Sequence, residues 1–228
     1  MDNNISLKQC ICLAGSFALL LWIIKLCESV FGVSLTSLGV YPQQSSGLIG
    51  VITAPLIHSD WQHLMSNTLP ILLLGSMLIY GYPRSRWWVV AIVWIASGVG
   101  VWFFARSSFH VGASGVTHGI FFYLVVAGIL RRDKRSSVLL MVASFMYGTM
   151  IWSIFPVQPG VSFEYHFFGA LSGAVCAVAF RSRDPKFELK SYPWEHESSD
   201  DEEPDPLIGD QWKTVTEAVE TETTCKPL

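Results

Sequence analysis

A serine enclosed by small residues is the first candidate for chemistry in this sequence. Ser114 lies in the run Gly112-Ala113-Ser114-Gly115, at the start of an apolar segment that extends to Leu130. Small neighbours leave a side chain accessible and allow other backbone to approach closely. A nucleophilic hydroxyl needs this access, and it also needs a base. Taken alone, the tetrapeptide favours a packing contact between helices, because such contacts are frequent in membranes.

Two other apolar segments carry polar side chains that can serve such a hydroxyl. His63 and Asn67 are four residues apart, so they share one face of a predicted helix. His166 stands near the start of another segment. Polar groups inside apolar spans are costly and are therefore candidate functional groups. The three segments are predicted to bring these side chains and Ser114 to one depth.

Glycines support a contact between the segments of Ser114 and His166. Gly169 and Gly173 follow His166 by three and seven residues, on the same helical face, and the serine segment contains Gly115 and Gly119. Glycine faces permit close approach of two helices, which a hydrogen bond between serine and histidine requires.

This set of residues predicts acyl-transfer chemistry. His166 would act as general base towards Ser114 and then as acid towards the leaving amine. His63 and Asn67, with the backbone N–H of Ser114, would donate hydrogen bonds to the oxyanion. Glu164 lies on a different face from His166 and is expected in water, so the sequence predicts a dyad and not a triad.

The composition places these residues in a membrane protein. Of 228 residues, 51% are hydrophobic and only 14% are charged, against about 25% charged in a typical globular chain. Each of six apolar segments has about the 20 residues that a membrane-spanning helix needs; they lie at 9–31, 61–81, 87–105, 112–130, 137–155 and 163–180. Residues 32–60 are predicted to form a structured loop in the membrane interface.

The charge pattern predicts an orientation and a tail. Arginine and lysine cluster in every second connection, which places both termini in the cytoplasm and Ser114 near the outer end of span four. Thirteen of the 18 acidic residues lie in 182–228. We therefore expect a six-span membrane domain over 1–181 and an acidic, disordered cytoplasmic tail over 182–228, in the inner or plasma membrane of the cell.

The motifs together resemble those of the rhomboid intramembrane serine proteases. The resemblance covers about residues 35–181 and is carried by these motifs on spans two, four and six: His63-x-x-x-Asn67, Gly112-x-Ser114-Gly115 and His166-x-x-Gly169-x-x-x-Gly173. It implies an all-α polytopic fold, a six-transmembrane-helix bundle with a long structured first loop. It also implies a Ser–His dyad that cleaves membrane-anchored substrates in or near their transmembrane helices.

Two departures from the rhomboid pattern are visible. Residues 33–60 contain no Trp-Arg pair, and His118 stands at the position four after the serine, where the family often has tyrosine. His118 lies one turn deeper than Ser114 on roughly the same face, and the resemblance implies that its ring takes the place of the family's aromatic side chain and packs against His166. Of the remaining histidines, His58 is expected to support the loop through hydrogen bonds. His110 is expected to be exposed or to contact substrate.

Three other functions compete with proteolysis. A rhomboid-like protein without activity would bind transmembrane helices, but both dyad residues are present here. A metal site would need Asp, Glu or Cys at ligand spacing beside the histidines, and a transporter would need repeated halves. The sequence therefore predicts no metal and no cofactor. The expected partners are membrane-protein substrates, single-span ones among them, and the lipid bilayer, with no nucleic acid.

Overall fold

Six long apolar helices make up most of the part of the chain that the structure describes. The computed structural model describes residues 5–157 and 160–186. The helices are α1 Leu7–Phe31, the short α2 Gly50–Thr53, α3 Trp61–Gly81, α4 Arg86–Phe104, α5 Ser114–Arg131, α6 Lys134–Tyr147 and α7 Phe163–Phe180. All except α2 are long and apolar enough to cross a membrane, α6 together with the 3-10 segment Gly148–Ile154 that continues it.

The predicted spans are confirmed, each within three residues of the observed bounds. The fold is thus the all-α polytopic bundle expected from the sequence. Most of the predicted acidic tail lies outside the described residues.

The helix α5 is the central element of the bundle. In its most apolar stretch 67% of the residues are buried, against 11% in the span formed by α6 and its extension. Its side chains Phe121, Tyr123 and Leu124 are fully buried. A helix that is apolar on all sides belongs in the interior of a bundle, so the sequence of α5 agrees with its position.

Polar side chains begin the two helices that carry predicted site histidines. The Asp60 carboxylate accepts from the N–H of His63 at 2.8 Å at the start of α3. The Ser162 hydroxyl accepts from the N–H of Tyr165 at 3.3 Å at the start of α7. Because such caps satisfy donors that a helix leaves free, they fix where each helix begins and hence the height of its histidine.

The first loop is structured, as predicted. It contains 3-10 turns at Thr36–Leu38, Ser45–Ile49 and Ala54–Leu56 around α2. Two indole N–H groups of α4 hold it, Trp94 donating to the Ile52 carbonyl and Trp102 to that of Gln44. The Ala54 carbonyl accepts from the N–H of Gly112 at 2.9 Å. The loop is therefore attached directly to the turn that precedes Ser114.

The C-terminal part of α1 is also fixed to this loop. A lysine near the end of an apolar helix can extend towards the membrane interface. In this structure the Lys25 ammonium group instead lies 3.2 Å from the Glu28 carboxylate and donates to the carbonyls of His58 and Ser59. Glu28 in turn accepts from the N–H of Leu35 at 2.7 Å. The pair is retained in an apolar helix because the loop supplies the remaining polar partners.

A buried polar cluster closes the opposite end of the bundle. The Asp184 carboxylate accepts from the N–H of Arg84 and from the Ser85 hydroxyl. The Arg131 guanidinium pairs with Asp133 at 3.1 Å and donates to the carbonyls of Arg181, Asp184 and Pro185. Charged groups of this kind are stable in a bundle only when paired and hydrogen-bonded. The cluster brings three of the basic connections to one end.

Candidate active site

Ser114 is the first residue of α5, and the turn before it requires glycine. Gly112 has φ +111°, a backbone conformation that residues with a Cβ rarely adopt. A Cβ at Gly112 would also lie 2.6 Å from the His63 ring. The Ser114 side chain is half-buried. Helix geometry leaves the first N–H groups of α5 without an intrahelical partner, so they point out of the start of the helix that Ser114 begins.

The structure brings His166 onto Ser114. The Nε2 atom of His166 lies 2.9 Å from the Ser114 hydroxyl oxygen, and its Nδ1 atom lies 3.0 Å from the carbonyl oxygen of Ser153. A carbonyl can only accept, so Nδ1 carries the proton in the neutral ring and Nε2 presents its lone pair to the serine. This is the tautomer that a general base towards Ser114 needs.

Contact between glycines makes this distance possible. A Cβ at Gly169 would overlap the carbonyl oxygen of Gly115, and one at Gly173 would overlap that of Gly119. The helices α5 and α7 therefore approach backbone to backbone along the two predicted faces. Any larger residue at Gly169 or Gly173 would separate the helices that carry the hydroxyl and the imidazole.

Of the two side chains predicted to donate to the oxyanion, His63 lies at the turn before Ser114 and Asn67 is hydrogen-bonded within α3. The His63 ring is half-buried and lies against Gly112, with Nδ1 3.2 Å from the Ser59 hydroxyl. Asn67 is buried, and its amide donates to the His63 carbonyl at 2.9 Å within α3. A primary amide has two N–H donors, so this bond uses one. His63 thus lies at the serine turn, while the hydrogen bond of Asn67 stays within its own helix.

His58 supports the site from the loop, as expected for a structural histidine. Its Nε2 accepts from the N–H of Ala113 at 3.4 Å, and its ring meets the His63 ring edge to face at 5.0 Å. Burial, with the nearby His63 and Lys25, lowers the pKa of His58 to about 3. The ring is therefore neutral at pH 7 and can accept from the residue just before Ser114.

Two expectations about His110 and Glu164 were wrong. His110 is buried: its backbone pairs with Val40 and its ring bonds Ser162. Burial also lowers its pKa. Glu164 was expected in water, but it is only 8% exposed and lies 3.5 Å from Arg106. His110 is itself in the connection after α4 and is buried against Val40 of the first loop and Ser162 before α7, while Arg106 of the same connection lies against Glu164. These contacts join segments that are far apart in the sequence.

His118 lies against His166, as expected. Its Nδ1 is 2.7 Å from the Ser114 carbonyl oxygen and its Nε2 is 2.7 Å from the Ser153 hydroxyl. Its nitrogens therefore point away from the Ser114 hydroxyl. Within residues 5–157 and 160–186, no group of three or more His, Cys, Asp or Glu side chains is arranged to hold a metal ion.

The sequence missed one member of the site. Ser153 supplies the carbonyl that orients His166 and the hydroxyl that contacts His118, and it lies in the 3-10 segment that follows α6. Every residue has a backbone carbonyl, so the residue type at position 153 does not reveal this role. The available signal was Pro156, which cannot donate a hydrogen bond to the carbonyls that precede it.

Comparison with known proteins identifies the family of this chain. The sequence matches the Rhomboid domain over residues 45–183. It is 34% identical over 180 residues to the uncharacterized proteins Mb1372 of Mycobacterium bovis and Rv1337 of Mycobacterium tuberculosis, covering 75% of this chain and of each relative. The uncharacterized protein ML1171 of Mycobacterium leprae is 33% identical over 75% of this chain and 71% of its own. The chain is a multi-pass integral membrane protein and belongs to the rhomboid family.

Proposed function

We propose that the chain is an intramembrane serine endopeptidase that cleaves peptide bonds in or near the transmembrane helices of membrane-anchored proteins. The observation that carries the proposal is the 2.9 Å contact between His166 Nε2 and the Ser114 hydroxyl, with the other ring nitrogen held by the Ser153 carbonyl. This is the arrangement of nucleophile, base and orienting group that acyl transfer needs.

The reaction follows from the two protonation states of His166. Its Nε2 takes the Ser114 proton as the hydroxyl oxygen attacks the scissile carbonyl. The imidazolium then donates this proton to the leaving amine nitrogen as the peptide C–N bond breaks, which leaves an acyl-serine. A water molecule attacks the acyl-serine and gives a proton to His166. The imidazolium then donates this proton to the Ser114 oxygen as the acyl C–O bond breaks, which releases a carboxylic acid product and restores Ser114.

The start of α5 suits the negative charge that develops in both steps. The Ser114 N–H points out of a helix N-terminus, where the helix dipole also favours an anion. His63 lies beside Gly112, and Asn67 follows one turn later on the same face of α3. We assign these three groups to the oxyanion, because their hydrogen bonds strengthen as charge builds up on the substrate oxygen.

The position of the site determines the kind of substrate. In the bilayer a helix satisfies its own backbone groups, so a scissile carbonyl is shielded until the helix unwinds. Substrates should therefore carry Gly, Pro or polar residues near the outer end of their span. The family resemblance also implies a small residue before the cut.

Orientation follows from the basic connections. Arg84, Arg131 and Arg181 belong to the end of the bundle closed by the polar cluster around Asp184. Basic connections remain in the cytoplasm. We therefore place both termini and the acidic segment 182–228 in the cytoplasm, Ser114 towards the outside, and the protein in the cell membrane.

A cleavage assay tests the proposal directly. Full-length protein purified in detergent is given single-span substrates that either contain a Gly/Pro break near the outer end or are uninterrupted polyleucine. We expect cleavage of the broken helix only, and none of either substrate by Ser114→Ala or His166→Ala. Cleavage by Ser114→Ala at the wild-type rate would contradict the serine mechanism. Equal binding without cleavage by wild type and Ser114→Ala would identify a silent helix-binding protein.

A further inference from the structure

The support of His166 depends on a free carbonyl in the segment after α6. Gly148–Ile154 is a 3-10 helix, and the last cap bond runs from the Phe155 N–H to the Trp152 carbonyl at 3.2 Å. The next bond of this series would run from residue 156 to the Ser153 carbonyl. Residue 156 is proline and has no N–H. The following N–H, that of Val157, bonds the Phe155 carbonyl at 2.7 Å.

Proline also ends the helix before it could use this carbonyl in another way. The residue before a proline is driven out of the helical region into extended backbone, and Phe155 has φ −103° and ψ 158°. The chain therefore turns away after Ile154. The Ser153 carbonyl is left as an acceptor inside the bundle, and His166 Nδ1 occupies it.

The side chain of Ser153 is fixed by the histidine that is unusual for the family. His118 Nδ1 lies 2.7 Å from the Ser114 carbonyl oxygen, which can only accept, so the neutral ring carries its proton there. His118 Nε2 is then an acceptor, and the Ser153 hydroxyl, 2.7 Å away, is its donor. The Met150 carbonyl, 2.8 Å from the same hydroxyl, is the local competitor for its proton.

We infer that Ser153 is a positioning residue for His166 and that His118 locks it in place by accepting its hydroxyl proton. The inference rests on the proposed proteolytic function. Through its carbonyl Ser153 selects the tautomer and rotation of the base. Through its hydroxyl it is attached to His118, which stacks on the same base at 3.9 Å and bonds the backbone of the nucleophile. Base and nucleophile are thereby held by one set of contacts.

The arrangement replaces the carboxylate of a triad by a neutral acceptor. An aspartate orients its histidine by charge as well as by geometry, whereas a carbonyl supplies geometry and a dipole. Its accuracy then depends on how rigidly the segment that carries it is held. The span of α6 and its extension is the least buried of the six, so packing holds this segment weakly. The hydrogen bond of the Ser153 side chain therefore contributes to its rigidity.

The test is a double-mutant comparison in the full-length enzyme. Ser153→Ala removes the hydroxyl and keeps the carbonyl, and His118→Phe keeps a stacked ring and removes the acceptor. Each should lower kcat between about 2-fold and 10-fold, the loss expected for one hydrogen bond, with little change in KM. The double variant should be no slower than His118→Phe alone, because both changes break the same bond. Thr149→Ala, an exposed position of the same segment, is the control and should match wild type.

The outcomes separate this inference from the proposed function. Losses that multiply in the double variant, a wild-type kcat in Ser153→Ala, or a change confined to KM would each overturn the positioning role. Cleavage that persists in Ser114→Ala would instead overturn the serine mechanism itself. Ser153→Ala and His118→Phe each break the bond between the Ser153 hydroxyl and His118 Nε2. If one variant does not fold, the kcat of the other still tests the positioning role.

Discussion

The imidazole rings of His118 and His166 are stacked, with centroids 3.9 Å apart and planes 8° from parallel. Of these two rings, it is that of His166 which directs a nitrogen at the Ser114 hydroxyl; the nitrogens of His118 bond the Ser114 carbonyl and the Ser153 hydroxyl. Two histidines on neighbouring helices thus have separate geometric roles. One faces the nucleophile, and the other provides a flat surface behind it.

Replacing each imidazole by the six-membered ring of Tyr or Phe should separate these roles. His118→Tyr keeps a stacked ring, so we expect the variant to keep reacting with a serine-directed fluorophosphonate probe. His166→Phe removes the base and should lose labelling, measured as probe incorporation at fixed time. Labelling of His166→Phe together with its loss in His118→Tyr would reassign the base to His118.

Single alanine substitutions should show how His63 and Asn67 contribute. Removing a donor to a developing oxyanion lowers kcat by about 10²–10³-fold and leaves KM nearly unchanged, because the bond is made chiefly in the transition state. Steady-state kinetics on one substrate would measure both constants. An increase in KM at constant kcat would assign these residues to substrate binding.

Pro156→Ala should lower kcat although Pro156 is exposed. Alanine supplies an N–H and lets the 3-10 helix continue, so the Ser153 carbonyl gains a backbone donor that competes with His166 Nδ1. We expect a loss of about 2-fold to 10-fold, the value of one hydrogen bond, measured with the same substrate. A kcat equal to wild type would show that the proline is not what leaves this carbonyl free.

Glycine contacts between α5 and α7 can be tested by adding one methyl group. Gly169→Ala places a Cβ against the Gly115 carbonyl, and forcing helices apart in this way costs about 1–3 kcal/mol. Thermal unfolding in detergent should therefore occur at lower temperature, with loss of probe labelling. Gly148→Ala is the matched control, because a Cβ there would meet nothing within 4 Å. Equal unfolding temperatures for the two variants would contradict the close contact.

The sequence predicted those features of the fold that depend on one segment at a time. Span bounds follow from apolar length, and the facing glycines follow from helical spacing around Ser114 and His166. The same reasoning failed where connections pack on one another. His110 is buried against Val40 and Ser162, and Glu164 is buried against Arg106, and their sequence neighbours carry no sign of it.

Backbone groups were the other source of error. The carbonyl of Ser153 orients His166, but every residue has such a carbonyl and only its free state is distinctive. Pro156 marks that state, since a missing N–H leaves an acceptor unused. A proline just after a span is therefore the sequence feature that marks a carbonyl of this kind.

The polar cluster around Asp184 sets how far the chain can be shortened. Asp184 accepts from the connection between α3 and α4, and the carbonyls of Arg181, Asp184 and Pro185 accept from Arg131. A chain cut at the end of α7 would keep all six spans and the Asp133 partner of Arg131. It would remove the three carbonyls that accept from the buried guanidinium, and buried N–H donors of a charged group are costly to leave without acceptors. The smallest stable unit therefore ends beyond Pro185, several residues into the polar segment that the membrane itself does not require.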